Sequence, residues 1–256
     1  SSASLRTPTS SLYTFGERDF TIEFWFNGAS QLNSYFYDGR DGTVATYPFI
    51  TTGVSTSVLR WGPTNTSGTI VIGNGYWNHC AVTRQSGTVK LWVNGILDTS
   101  VADSTNYSVN YKVLLGQNSY GGNNLSGFIS NFRVIKGTAI YTTTFAPSIN
   151  PFTTTSQGAT ATQVSLLTAQ NTTLVDNGYN TLSLSYTGSL SFNSGSSSST
   201  SVSTFIVPSP VATSSTSLNF NSSSSLTIGT NFLAALTGTY TIEGWFYFNG
   251  TPSGNT

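Results

Sequence analysis

Charge is what this sequence has least of. Its 256 residues hold nine Lys and Arg against nine Asp and Glu, 7% in all and formally balanced. An average soluble protein has about 25%. With no net positive charge, phosphate-driven nucleic-acid binding is excluded as an expectation. Cys80 is the single cysteine and His79 the single histidine. No intrachain disulfide can form, and a multi-histidine metal centre is ruled out. Methionine is absent, and no signal-peptide pattern precedes SSASLRTPTSS, so a processed or excerpted chain is expected. No window approaches the ~20 apolar residues of a membrane span, so no membrane insertion is expected. None shows sustained helical periodicity.

What is present is apolar and aromatic: 37% hydrophobic residues and 13% Phe, Trp and Tyr, enough for a sizeable core. Polarity comes from Ser, Thr, Asn and Gly. Such a composition points to an extracellular or virion surface. Val, Ile, Thr and aromatics dominate the ordered stretches, and these residues favour strands. Phe20, Ile22, Phe24 and Phe26 alternate with Thr21, Glu23 and Trp25, the period of a two-faced strand. The Phe/Ile face belongs in a core, and the Glu/Trp face is expected to be only partly dry. Residues 77–84, 88–93 and 96–101 read as a three-stranded antiparallel meander. Its second turn is Asn94-Gly95, the strongest short-range hairpin signal. Leu182, Leu184 and Tyr186 are expected to share one strand face, and Pro147 and Pro151 to end regular pairing.

The chain also repeats itself. DFTIEFWFNG at 19–28 returns as TYTIEGWFYFNG at 239–250, so Phe20 aligns with Tyr240. Residues 193–204 between them are low-complexity Ser/Thr. The organisation expected is a domain over 1–190 whose first strand precedes residue 1, a Ser/Thr/Pro-rich linker over 191–216, and the start of a second module over 217–256. Both ends are then cut from a longer series of tandem domains. FGERDFTIEFWF, GYWNHCAVTRQSGTVKLWVNG and LSGFISNFRVIKGTAIY, with Trp77–Arg84, Val93–Gly95 and Ile129–Tyr141 as the characteristic runs, resemble the laminin-G-like (concanavalin A-like lectin/glucanase) superfamily. The likeness spans roughly 4–190 and again 217–250, and is nearest to the tandem modules of phage and bacterial surface proteins. It implies an all-β, antiparallel jelly-roll β-sandwich, with the start of a second copy.

The superfamily includes glucanases, so the carboxylates of ERDFTIE need a test. Retaining hydrolysis needs two carboxyls about 5–5.5 Å apart. Glu17 and Glu23 lie six residues, or roughly 20 Å, apart along an extended strand, and the second copy keeps only Glu243 of the three. Glu17, Asp19 and Glu23 therefore read as scaffold, with no catalytic residue assigned. Arg84 or Arg133 is the expected partner of Glu23, His79 is expected to be packed, and Cys80 reads as a small buried hydrophobe. Relatives of this fold bind calcium through loop carboxylates, which makes calcium the one candidate cofactor. Asp38 and Asp41 of YDGRDG are its candidate ligands, with Asp98 and Asp103 as a second loop. A sugar site needs aromatic platforms and short amides. Tyr120, Asn123 and Asn124 of GQNSYGGNNLSG supply them, with Trp61 in an exposed turn, RWGPTN. The reading is a non-enzymatic structural and adhesion module of a virion fibre, decoration protein or cell-surface appendage. Its partners are other copies of the same assembly and cell-surface glycans. A carbohydrate-binding lectin module is the alternative, and a β-glucan hydrolase the third reading.

Overall fold

The computed structural model describes residues 3–40, 47–109, 112–171 and 173–190. The linker at 191–216 and the second copy at 217–256 lie outside the described residues. The described strands are β1 (Ser4–Arg6), β2 (Phe20–Asn27), β3 (Tyr35–Asp38), β4 (Phe49–Thr52), β5 (Val58–Trp61), β6 (Thr66–Val71) and β7 (Trp77–Gln85). They continue as β8 (Thr88–Val93), β9 (Ile96–Ala102), β10 (Leu114–Leu115), β11 (Phe128–Lys136), β12 (Val164–Thr168) and β13 (Ser185–Thr187). Two antiparallel sheets form a sandwich, ordered β13-β1-β10-β3-β4-β5-β6 and β12-β11-β2-β7-β8-β9. Among the described residues, helix is limited to three 3₁₀ turns, Ser11–Tyr13, Ser156–Gly158 and Ala161–Gln163.

Alternation in β2 builds the core as read from the sequence. Phe20, Ile22, Phe24 and Phe26 are fully buried between the sheets. Phe24 packs on Phe36 at 4.9 Å and Phe132 at 5.4 Å between ring centroids. The meander forms as β7-β8-β9, and Asn94 and Gly95 take φ of 51° and 79°, the positive values that a tight hairpin turn requires. Towards the end of the domain the alternation carries less. Leu182 and Leu184 lean on the core, whereas Tyr186 is exposed on the short β13.

The expectation that fails is the half-dry outer face of β2. Thr21 and Glu23 are buried as completely as their core-facing neighbours, and Trp25 is buried too. The cover is the irregular segment 137–163, which lies across the outside of the six-stranded sheet. Phe152 packs with Trp25, Ile135 and Leu167, and Tyr141 with Ala81 and Trp92. Burying each such aromatic contributes roughly 1.5–3 kcal/mol. Tyr141 and Phe145 stack at 3.5 Å, and Trp92 meets Phe145 edge-on at 5.7 Å. The strap is pinned to the hairpin turn, where Phe145 N–H donates to the Gly95 carbonyl at 3.1 Å. A Cβ on Gly95 would collide with the Phe145 carbonyl, so this glycine is required by both its φ and its neighbour.

A bulge in β11 sets what lies under the strap. Ser130 opposes Trp25 and Arg133 opposes Glu23, so Asn131 and Phe132 on one strand stand against Phe24 alone on the other. Asn131 absorbs the extra residue at φ 56°, and its Oδ1 accepts from Phe152 N at 2.8 Å. In regular pairing Phe132 would oppose Glu23 on the outer face. The bulge shifts the phase by one residue, turning Phe132 into the core and Arg133 toward Glu23.

Candidate functional site

The acidic motif is divided by the fold. Glu17 is exposed, and Asp19 Oδ1 accepts from Ser86 N at 2.9 Å. Glu23 is sealed beneath the strap with both oxygens engaged. Arg133 Nε donates to Oε1 at 2.7 Å and Tyr141 OH to Oε2 at 2.7 Å, while His79 Nε2 lies 3.2 Å from Oε2. Burial pushes the Glu23 carboxyl up, but Arg133, then His79 and Tyr141, more than offset it and hold the group below its ordinary value. Burial and the adjacent Glu23 charge drive the Tyr141 phenol upward. Of the two arginines considered as partners, Arg133 is the one. Arg84 instead donates to the carbonyls of Gly16, Arg18 and Thr105 at 2.6–3.0 Å, with its guanidinium 5.0 Å from the ring centroids of both Phe20 and Tyr107. His79 is packed and Cys80 is a core residue, both fully buried.

The described loop aspartates, Asp38, Asp98 and Asp103, spend their carboxylate oxygens on protein donors. Asp38 Oδ1 accepts from Arg40 N and Nε, each at 2.9 Å, and Oδ2 from Arg40 Nη2 and Ser119 N, each at 2.8 Å. These four bonds fill the lone-pair positions of a carboxylate. Asp98 is occupied by Thr69 and Ile70 of β6, and Asp103 by Trp61, Tyr107 and Thr105. Asp41 lies outside the described residues. No cluster of three His, Cys, Asp or Glu forms among the described residues.

Trp61 requires a correction. It ends β5 pointing inward, fully buried, and its Nε1 donates to Asp103 Oδ2 at 2.7 Å. The Gly62-Pro63 turn begins one residue later than the sequence suggests, with the Phe49 ring packed where a side chain at Gly62 would stand. Trp61 is thus a core residue carrying one polar anchor. Burial raises the Asp103 pKa, but the bonds from Trp61, Tyr107 and Thr105 win and leave it lowered.

Tyr120, Asn123 and Asn124 do come together at an exposed rim. Their loop follows β10, and Asn118 fixes its bend: Oδ1 accepts from Tyr120 N at 3.1 Å and Gly122 N at 2.7 Å. Gly116 and Gly121 take φ of 85° and 84°, which only glycine adopts freely. Gln117 Nε2 donates to Asn124 Oδ1 at 3.0 Å. The loop is tied to the sheet by Ser119 N on Asp38 and by Tyr35 N on the Asn123 carbonyl at 3.2 Å. Tyr120 remains 62% exposed. Beneath it lies Arg40, which no motif or spacing singles out. Its guanidinium sits 4.0 Å from the Phe49 centroid, 5.1 Å from Tyr35 and 5.4 Å from Tyr120. Burial alone would lower the Arg40 pKa, but Asp38 more than reverses this. A fixed cation thus backs an open aromatic ring flanked by two exposed amides, on a loop made rigid by its own hydrogen bonds. Such a surface can stack a sugar ring and bond its hydroxyls.

Comparison with known proteins agrees with this architecture. A family model described as the concanavalin A-like lectin/glucanases superfamily matches residues 1–139. No curated protein matches the chain. Among solved structures, a candidate carbohydrate-binding protein from Bacteroides ovatus is similar at 13% identity and a TM-score of 0.50, over 73% of this chain and 59% of that one. Domain 4 of an extracellular GH43 arabinanase from Geobacillus stearothermophilus, solved with arabinotriose, is similar at 21% identity and a TM-score of 0.40, over 52% of this chain and 66% of that one. A pentraxin from Limulus polyphemus gives 15% and 0.37, over 54% and 78%. The chain thus spans less than two thirds of the first two of these proteins.

Proposed function

The chain belongs to the concanavalin A-like lectin/glucanase superfamily, and we propose that it works as a non-catalytic carbohydrate-binding module whose contact surface is the Tyr120 rim. One observation carries this: an exposed Tyr120 ring stands over the buried Arg40–Asp38 pair, with exposed Asn123 and Asn124 on the same pinned loop. The Bacteroides neighbour is described as binding carbohydrate. At its identity it speaks to the fold, and the ligand reading rests on the rim. A glycan array probed with the 256-residue chain tests it. Binding of neutral saccharides, weakened at least tenfold by Tyr120→Ala, is expected. A folded chain that binds no glycan on the array would remove the reading.

A second reading draws on the repeated strand at 20 and 240. The module is one of a tandem series on a virion fibre, decoration protein or cell-surface appendage, outside the cell, where weak sites gain avidity by repetition. The complete reading frame checks it, since a single copy in that frame would refute a tandem series.

A further inference from the structure

A second polar recess lies at the far end of β2, away from the rim loop. There the start of β2, the end of β11 and the start of β12 converge: Lys136 opposes Phe20, Gly137 N–H donates to the Asp19 carbonyl at 2.7 Å, and Val164 opposes Ile135. The recess is a cleft of about 570 Å³, lined by Arg18, Lys136, Asp19, Gln163, Thr162 and Ser165, with Leu12 supplying apolar surface. That volume is typical of small-ligand sites. Two of the chain's nine cations thus share one cleft, and among the described residues neither forms an ion pair. Asp19 is the only carboxylate in the lining, and it is held by Ser86 N. Lys136 Nζ donates to the Ser11 carbonyl at 2.8 Å, which leaves two of its three N–H groups for a ligand. Burial, and then the Arg18 charge, lower the Lys136 pKa, as befits a cation facing another cation.

We propose that this cleft binds a carboxylate-bearing sugar, a uronate or sialate residue, with its carboxylate between Arg18 and Lys136. The class of ligand rests on the saccharide-binding reading above, and the place and the charge rest on the cleft. A carboxylate matches the fork of an arginine and the point charge of a lysine. Asp19, Gln163, Thr162 and Ser165 offer the acceptors and donors that ring hydroxyls require, and Leu12 an apolar surface for ring C–H groups. A bare inorganic anion would use the two cations and leave those hydroxyl partners idle.

Calorimetric titration of the 256-residue chain with digalacturonate, its neutral galactose counterpart and inorganic phosphate tests this. Digalacturonate should bind, and Arg18→Gln with Lys136→Gln should weaken it at least tenfold, about 1.4 kcal/mol. Arg18→Lys should keep part of the affinity, and Tyr120→Ala should leave digalacturonate binding in place. An unchanged melting midpoint in the double variant separates lost binding from lost folding at the Ser11 contact. Undiminished digalacturonate binding by the double variant would overturn the proposal. So would phosphate binding as tightly as the sugar acid, which would make the cleft an inorganic-anion site. If Tyr120→Ala alone removes the sugar acid, the cleft fails and the rim stands. If the double variant alone removes it and no neutral sugar binds, the rim fails and the cleft stands.

Discussion

Glu23–Arg133 and Asp38–Arg40 are both buried carboxylate–guanidinium pairs, and they end in opposite surroundings. Glu23 and Arg133 sit on the outer face of one sheet under Tyr141 and Phe152, with no route to solvent. Asp38 and Arg40 sit at the margin of the other sheet, where the guanidinium lies against Phe49, Tyr35 and the exposed Tyr120. The first pair joins a strap to a sheet. The second ties down a loop whose aromatic ring stays exposed. Burial of the acid does not separate scaffold from site; what covers the arginine does.

The largest effect should come from breaking the sealed pair. Glu23→Gln leaves the Arg133 charge buried and uncompensated, which costs about 3–5 kcal/mol. In a domain of this size that lowers the melting midpoint by roughly 6–20 °C, read by thermal unfolding. Replacing both residues, Glu23→Gln with Arg133→Met, should recover part of the loss because no lone charge remains. A double variant no more stable than Glu23→Gln would show that the strap needs the guanidinium itself, through its bonds to the Thr153 and Ser156 carbonyls.

Glu23, together with Asp103, should set the acid limit. Glu23 and Asp103 have folded-state pKa values below their ordinary ones, so in acid the unfolded chain takes up protons first. Their contribution is complete above the ordinary carboxylate range and is lost as pH falls through the lowered folded values. Urea midpoints should therefore hold steady down to about pH 5 and fall progressively below it. Glu23→Gln should flatten that fall, and an unchanged slope would mean the acid sensitivity lies elsewhere.

Sequence reading reached one face of β2 and missed the other for a definite reason. Alternation reports the inward Phe and Ile set because the core partner is another strand with the same period. The outer face is covered by 137–163, which has no period, and the contact from Glu23 to Tyr141 spans 118 residues. The bulge at Asn131 adds a phase shift that only the paired strand makes visible. Trp61 was misplaced because Gly62-Pro63 signals a turn but does not say on which residue it starts. The exposure of Tyr120, Asn123 and Asn124 was legible, since Gly-rich loops leave their side chains in solvent. Arg40 was not, because what marks it is a stack of rings from β3, β4 and the 116–127 loop.

Weaker perturbations sharpen the contrast at its open end. Asp38→Asn leaves Arg40 and Ser119 N with a poorer acceptor, and should cost about 1–3 kcal/mol. Unlike Glu23→Gln, it should also weaken saccharide binding, because it frees the loop that carries Tyr120. Trp61→Phe removes one bond to Asp103 while keeping an aromatic ring in the core, a cost also of about 1–3 kcal/mol. It should leave saccharide affinity unchanged. Lost affinity in Trp61→Phe at full folding would return that residue to the site.

The smallest stability change should belong to Tyr120 itself, and it is the most informative. The ring is 62% exposed and donates no hydrogen bond that holds the sheet, so Tyr120→Ala should stay within about 0.5 kcal/mol of wild type. Its neutral-saccharide affinity should nevertheless fall at least tenfold, while Tyr120→Phe keeps most of it, because stacking needs the ring more than the hydroxyl. Arg40 sharpens the inference. If the cation beneath matters electrostatically, the ring held over it should stack a sugar differently from one on a neutral support, and Arg40→Met in the Tyr120→Phe background should lower affinity further. An Ala variant that melts early would instead make Tyr120 part of the ring stack that holds Arg40, and the rim would then be a second strap contact, the same kind of structure as the sealed pair.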